Sequence, residues 1–170
     1  MKMKVIGMLA AFTLAASAAA AQELPRKVQN VEVLDLDGKP AKLPYFGEKN
    51  LMIFYVDPDR HKQNEDFTIE LEQNHRAESD NIHGFGVMNL KDAPMVPNGM
   101  ARNMAKKRTA KNGATVLADQ NRILSTAWAL GDCNNQFVLM IVSKEGELVF
   151  LRKGELSDAD KEAFYETIEK

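Results

Sequence analysis

The sequence predicts a single α/β domain in which helices flank a mixed sheet. Three observations support this prediction. Residues 51–56 form an apolar run without a charge, which is typical of a central buried strand. Strand and helix patterns then alternate as far as residue 142, which favours parallel crossovers. The chain closes with a hairpin and a helix, and no internal repeat, low-complexity tract or linker interrupts it after residue 21.

The N-terminus has the pattern of a secretory signal. Two lysines are followed by apolar residues 5–14 and by small residues that end in three alanines at Ala21. This arrangement is typical of an Ala-x-Ala cleavage site. We therefore expect residues 1–21 to be a signal peptide and residues 22–170 to be the domain, in the periplasm or secreted. A retained N-terminal anchor is the alternative.

The charge balance excludes some classes of partner. The chain carries 22 basic and 24 acidic residues, a net charge of −2, and loss of Lys2 and Lys4 with the signal changes this to −4. Such a balance does not favour nucleic acid or anionic membrane as the main partner. No stretch after residue 21 approaches the roughly 20 apolar residues of a membrane span. We expect no nucleic-acid partner and no membrane span after signal removal.

The strands are predicted from apolar alternation or from short apolar runs between turn signals. Residues 31–36 alternate apolar and polar side chains, and Asp37-Gly38 then marks a turn. The predicted strands are 31–36, 51–56, 82–90, 115–118, 136–142 and 148–152.

The helices are predicted from their start signals and apolar spacing. Asn64 is placed to cap a helix that runs to about His75, with Phe67, Leu71 and Ile69 as its inward residues. Ser157 and Asp160 resemble a capping box. The predicted helices are 64–75, 100–111, 123–130 and 157–168.

Three segments resemble the thioredoxin superfamily, in particular its exported redoxin and peroxiredoxin-like branch. They read LMIFYVDPD, TVLADQNRILSTAWALG and FVLMIVSKEGELVFLRKGEL. Within the superfamily the chain resembles the YtfJ-like family of exported bacterial proteins, through VMNLKDAPMVPNGMAR and residues 118–156. The resemblance implies a thioredoxin-like fold in the periplasm and a link to cell redox homeostasis. It implies no established activity, and the family has no invariant dithiol to transfer.

The chain departs from active redoxins at two places. In those proteins a Cys-x-x-Cys or a single reactive cysteine stands where the central strand meets the next helix, and here that junction, residues 57–64, contains none. Thioredoxins also keep a cis-proline before the strand that here begins near Phe137, and the residues at that place are Asn134, Asn135 and Gln136. Both absences argue against thiol exchange by the usual mechanism.

Two groups of residues are candidate sites. The junction and the asparagine loop form a candidate binding surface, because the ends of strands in open α/β sheets form ligand crevices. Its residues are Asp57, Asp59, Arg60, His61, Asn64, Asn134 and Asn135. The alternative is that the charged residues of the junction are solvated residues at the start of the helix, without a binding role. The spacing Asp-x-Asp-x-His is a weak metal signal, and we predict no metal and no cofactor.

Cys133, the single cysteine, is the candidate catalytic residue. A reactive thiolate needs a positive neighbour, and Arg60, His61 or Lys62 would supply one if the loop approached the junction. The alternative is an inert, partly buried thiol. The leading hypothesis is a binding or stress-related accessory protein that acts on an unknown protein or small molecule. The alternative hypothesis is a single-cysteine redox enzyme that acts through Cys133.

Overall fold

A mixed sheet of eight strands organises residues 23–170, which are the part of the chain that the computed structural model describes. The signal peptide predicted for residues 1–21 lies outside these residues. The strands are β1 (Arg26–Lys27), β2 (Glu32–Leu34), β3 (Pro40–Lys42), β4 (Asn50–Val56), β5 (Ile82–Asn89), β6 (Val116–Asp119), β7 (Phe137–Val142) and β8 (Glu147–Lys153). Their spatial order is β1-β8-β7-β4-β5-β6-β2-β3. β4, β5 and β6 are parallel, whereas β7 is antiparallel to β4 and to β8.

Four α-helices and a 3-10 turn occur within residues 23–170. They are α1 (Glu65–Asn74), α2 (Asn98–Asn112), α3 (Ile123–Ala127), α4 (Asp158–Ile168) and the 3-10 turn Pro58–Arg60. Alternate side chains of β7 pack with α1 and α4 on one face and with α3 on the other. α2 packs on the same face of the sheet as α1, where its Ala101 joins a cluster with Ala118 of β6. None of these helices is long and apolar enough to cross a bilayer.

The predicted central strand is confirmed. Leu51, Ile53 and Tyr55 of β4 are fully buried against the α3 face of the sheet. Met52 and Phe54 point to the opposite face and pack beside α1. One face of β4 is therefore fully buried and the other is half-buried beside α1, which explains why its sequence is apolar without alternation.

Aromatic rings join α1 and α4 to the sheet. Phe164 of α4 contacts Phe67, Phe150 and Tyr165, with ring centroids 5.3 to 5.9 Å apart. These pairs are edge-to-face, the arrangement that the ring quadrupole favours. The terminal helix is thereby fixed beside the helix that follows the central strand.

The predicted start of α4 is confirmed, whereas two details of α1 were wrong. Ser157 and Asp160 form the capping box. Asn64 does not cap α1 with its side chain, which instead donates to the Gly154 carbonyl at 2.8 Å and accepts from the Leu156 amide at 2.9 Å. Ile69 was predicted to point inward but is 44% exposed, because only two positions of this short helix face the core.

We expect Phe164→Ala to lower the free energy of unfolding by about 3 to 5 kcal/mol, because it leaves a cavity among three aromatic rings. Ile69→Ala, which removes an exposed apolar side chain, is the matched control and should cost less than about 1 kcal/mol. Urea unfolding followed by circular dichroism measures both changes. Equal losses in the two variants would contradict this account of the core.

Candidate functional site

Three parallel strands end at one edge of the sheet, and each ends in a fully buried polar residue. Asp57 follows β4, Asn89 ends β5 and Asp119 ends β6. The strand register pairs Asn89 with Asp119 and places the end of β4 beside that of β5. Buried polar side chains need hydrogen-bond partners, so three of them together make this edge of the sheet a candidate site.

The carboxyl group of Asp57 connects the junction to the loop before β7. One oxygen accepts the Asp59 amide at 2.9 Å, and the other accepts the Asn135 amide at 2.7 Å. Gln63 adds a second connection, since its side-chain oxygen accepts the Phe137 amide at 2.7 Å. The loop that would hold a cis-proline in a thioredoxin is thus held by junction side chains. Leu24–Pro25 has the one cis peptide bond within residues 23–170.

Asp119 organises the start of α3. Its two oxygens accept the amides of Ile123 and Leu124, each at 2.9 Å, and Tyr55 donates its hydroxyl to the same group at 3.3 Å. Burial and the neighbouring carboxyl group of Asp119 raise the pKa of Tyr55. Tyr55 therefore remains protonated and able to donate at neutral pH.

Asp92, in the loop after β5, forms an ion pair with Arg122. The Arg122 Nε lies 2.7 Å from Asp92 Oδ1, and Asn89 donates to Oδ2 at 2.6 Å. Burial alone would raise the pKa of Asp92, but the hydrogen bonds from Arg122 and Asn89 outweigh it and the pKa is lowered. Asn89 also donates to the Cys133 carbonyl at 3.5 Å, and its own Oδ1 has no hydrogen-bond partner within residues 23–170.

An open cleft of about 340 Å³ lies above this edge of the sheet. It combines cationic, anionic and amide side chains from four separate loops. Its lining residues are Asp59, Lys91, Asp92, Pro94, Arg122, Asn134 and Asn135. Such a surface offers hydrogen bonds and both signs of charge to a polar ligand.

Cys133 lies beneath the cleft and is 3% exposed. Its thiol donates to the Gly131 carbonyl at 3.6 Å and belongs to the same buried cluster as Tyr55 and Trp128. Burial raises the pKa of the Cys133 thiol to about 11; Lys153 opposes this shift. The group is therefore a protonated thiol at neutral pH, without the thiolate character that nucleophilic or redox chemistry requires.

The structure brings together some of the sequence-predicted residues. Asp59, Asn134 and Asn135 line the cleft, whereas Asp57 and Asn64 use their side chains in hydrogen bonds within the protein. Arg60 ends the 3-10 turn and His61 follows it; both are exposed and neither lines the cleft.

Sequence reasoning missed four residues of the cleft. They are Lys91, Asp92, Pro94 and Arg122. The signal that could have found them is the position of the two loops, which follow β5 and β6 at the edge where β4 also ends. Among residues 23–170, no three His, Cys, Asp or Glu side chains are grouped so that they could hold a metal ion.

Solved structures similar to this chain share its fold. An exposed lipoprotein thioredoxin from Streptococcus pneumoniae has a TM-score of 0.56 at 18% identity, over 83% of this chain and 98% of that one. A peroxiredoxin-like protein from Aquifex aeolicus has a TM-score of 0.60 at 11% identity, over 86% and 88%. A thiol-disulfide oxidoreductase from Bacteroides fragilis has a TM-score of 0.58 at 10% identity, over 84% and 99%.

These likenesses define the class of fold as thioredoxin-like, which confirms the predicted α/β fold. At these levels of identity they establish the fold alone. No protein-family model matches the chain, and no curated protein matches it.

We expect Asp57→Ala to lower the free energy of unfolding by about 2 to 4 kcal/mol, because it removes the buried acceptor of two partly buried backbone amides. Amide hydrogen exchange should accelerate at Asn135 in particular. Asp59→Ala is the matched control, since the exposed Asp59 side chain is removed while its amide still donates to Asp57, and it should cost less than about 0.5 kcal/mol. Unchanged Asn135 exchange in Asp57→Ala would contradict the assigned connection.

Proposed function

We propose that this chain is an exported, redoxin-like binding or accessory protein of the periplasm that does not perform dithiol exchange. The observation that supports the proposal most directly is the placement of its single thiol. Cys133 is buried under the cleft, and its pKa is raised to about 11. Asp57 stands at the junction where active redoxins place a cysteine, and its carboxyl group is occupied by two backbone amides.

The cleft is the proposed binding surface. Lys91 and Arg122 supply positive charge, Asp59 supplies negative charge, and Asn134 and Asn135 supply amide groups. The ligand class that suits this set is a polar small molecule or an exposed peptide segment that carries both signs of charge. An apolar ligand is disfavoured, because it would remove charged groups from water without replacing their hydrogen bonds.

The location and the finer family assignment are part of this proposal. We infer an exported, YtfJ-like protein whose signal peptide is residues 1–21. Expression of the full chain in a Gram-negative host should yield a periplasmic protein whose first residue is Gln22. N-terminal sequencing after osmotic-shock fractionation measures this directly. Recovery of an uncleaved chain from the membrane fraction would favour the retained anchor instead.

The thiol enzyme is the competing function, and alkylation tests it. Iodoacetamide should modify Cys133 about 100-fold more slowly in the native protein than in urea at neutral pH, because two pKa units separate the buried thiol from an ordinary one. The rate should rise with pH towards 11. Disulfide reduction and peroxide consumption should be equal in the wild type and in Cys133→Ser. Rapid alkylation together with turnover that Cys133→Ser abolishes would overturn the proposal.

A photo-crosslinking amino acid tests the cleft in the same protein. We expect the probe at Asn134 to give a discrete, saturable adduct with a periplasmic component. A probe at the exposed Glu166 of α4 is the matched control and should give none. Lys91→Glu should reduce the Asn134 adduct without changing the unfolding midpoint. Equal labelling from both positions, or an adduct indifferent to Lys91→Glu, would reject the cleft as the binding surface.

A further inference from the structure

The exposed face of α2 carries methionine and lysine side chains that lie outside the core of the domain. Met100 and Met104 are 56% and 63% exposed, whereas Ala101 is the one residue of this helix that is buried. Lys107 and Lys111 follow at the same helical spacing and extend the stripe along the helix. The helix contains no Asp or Glu. α2 therefore presents an apolar and cationic stripe to its surroundings.

A groove of about 570 Å³ lies on the same side of the sheet, between α1 and α2. Met52 and Phe54 of β4 and Val116 of β6 form its apolar floor. Gly84 and Gly86 have no side chains to fill the groove. A Cβ at position 84 would lie only 2.8 Å from the Met52 methyl carbon. The helices of the described chain cover this apolar floor only in part, since Met52, Phe54 and Val116 are half-buried.

The rim of the groove has the charge that complements the stripe. Glu72 of α1 and Glu78 in the following loop line it, and both are exposed. Glu78 also contacts the exposed His75 ring at 2.9 Å. The groove therefore combines an apolar floor with two carboxylates, and the α2 stripe combines two methionines with two lysines.

We propose that a second copy of this chain docks on this face, with α2 of each protomer seated in the groove of the other. Asn112 and Ala114, at the end of α2, line the groove of their own protomer. α2 therefore ends beside its own groove, and a two-fold axis near this end would bring each stripe onto the partner's groove. Met100 and Met104 pack on the floor, while Lys107 and Lys111 meet the glutamates.

The charges on this face favour a second copy over other occupants. An anionic bilayer or an acidic peptide would be attracted by the α2 lysines but repelled by Glu72 and Glu78 beside them. A second copy satisfies both sets at once. A helix of 15 residues is about 22 Å long, so two symmetric helix-in-groove contacts form an interface of the recognised type.

Sedimentation equilibrium of the wild type, from about 1 µM to about 1 mM, should show a monomer–dimer equilibrium that weakens as salt rises. Met100→Asp with Met104→Asp should raise the dimer dissociation constant at least about tenfold. The double variant Lys107→Glu, Lys111→Glu should weaken the dimer. The double variant Glu72→Lys, Glu78→Lys should weaken it too. A variant with all four charge substitutions should have a dissociation constant within about threefold of the wild-type value. In this variant the lysine and glutamate positions have exchanged their charges, so opposite charges face each other again.

The matched control is the double variant Glu162→Lys, Glu166→Lys on α4, which makes the same change of charge as the Glu72 and Glu78 variant. It should leave the dissociation constant unchanged. Thermal unfolding of every variant checks that each is folded. A wild type that stays monomeric throughout the range overturns the proposal, whether or not it binds phosphatidylglycerol vesicles. A dimer indifferent to the methionine substitutions, or a charge exchange that fails to rescue, also overturns it.

Discussion

The buried carboxyl group of Asp57 is the interaction on which the candidate site depends. It lies at the end of the central strand and accepts amides from two different segments, the 3-10 turn and the loop before β7. Because each of these partly buried hydrogen bonds contributes about 1 to 3 kcal/mol, this one side chain holds the two segments together. The cleft lies between these segments, so its shape follows from Asp57 although Asp57 does not line it.

Asp119 at the end of β6, like Asp57 at the end of β4, uses its buried carboxyl group to accept backbone amides. It accepts two amides at the start of α3 and the hydroxyl of Tyr55. Between them, Asn89 donates to Asp92 and to the loop that carries Cys133. The buried polar groups thus fix the backbone, and the charged ends of Lys91 and Arg122 remain exposed. A rigid edge with exposed charges suits recognition of a polar ligand.

The sequence predicted those features of the fold that depend on local pattern. The uninterrupted apolar run of β4 and the capping box at Ser157 both have short-range signatures, and both are confirmed. Asn64 has the identity of a helix cap, but its side chain bonds to the loop after β8, a contact between residues about 90 positions apart. The Asp92–Arg122 pair likewise joins two loops, and no spacing rule predicts it. The site was incompletely predicted because its contacts are long-range.

The burial of Cys133 explains why this thiol lacks thiolate character at neutral pH. A thiolate needs either water or a close positive charge, and this thiol has 3% exposure. Lys153 lowers its pKa, yet burial is the larger effect, and Asp92 and Asp132 act in the same direction as burial. Lys153, where it stands, is therefore insufficient to hold this buried group as a thiolate. The loop that carries Cys133 is also held two residues further along the chain, where the Asn135 amide donates to Asp57. The interaction that shapes the cleft thus also helps to hold the loop in which the Cys133 thiol is buried.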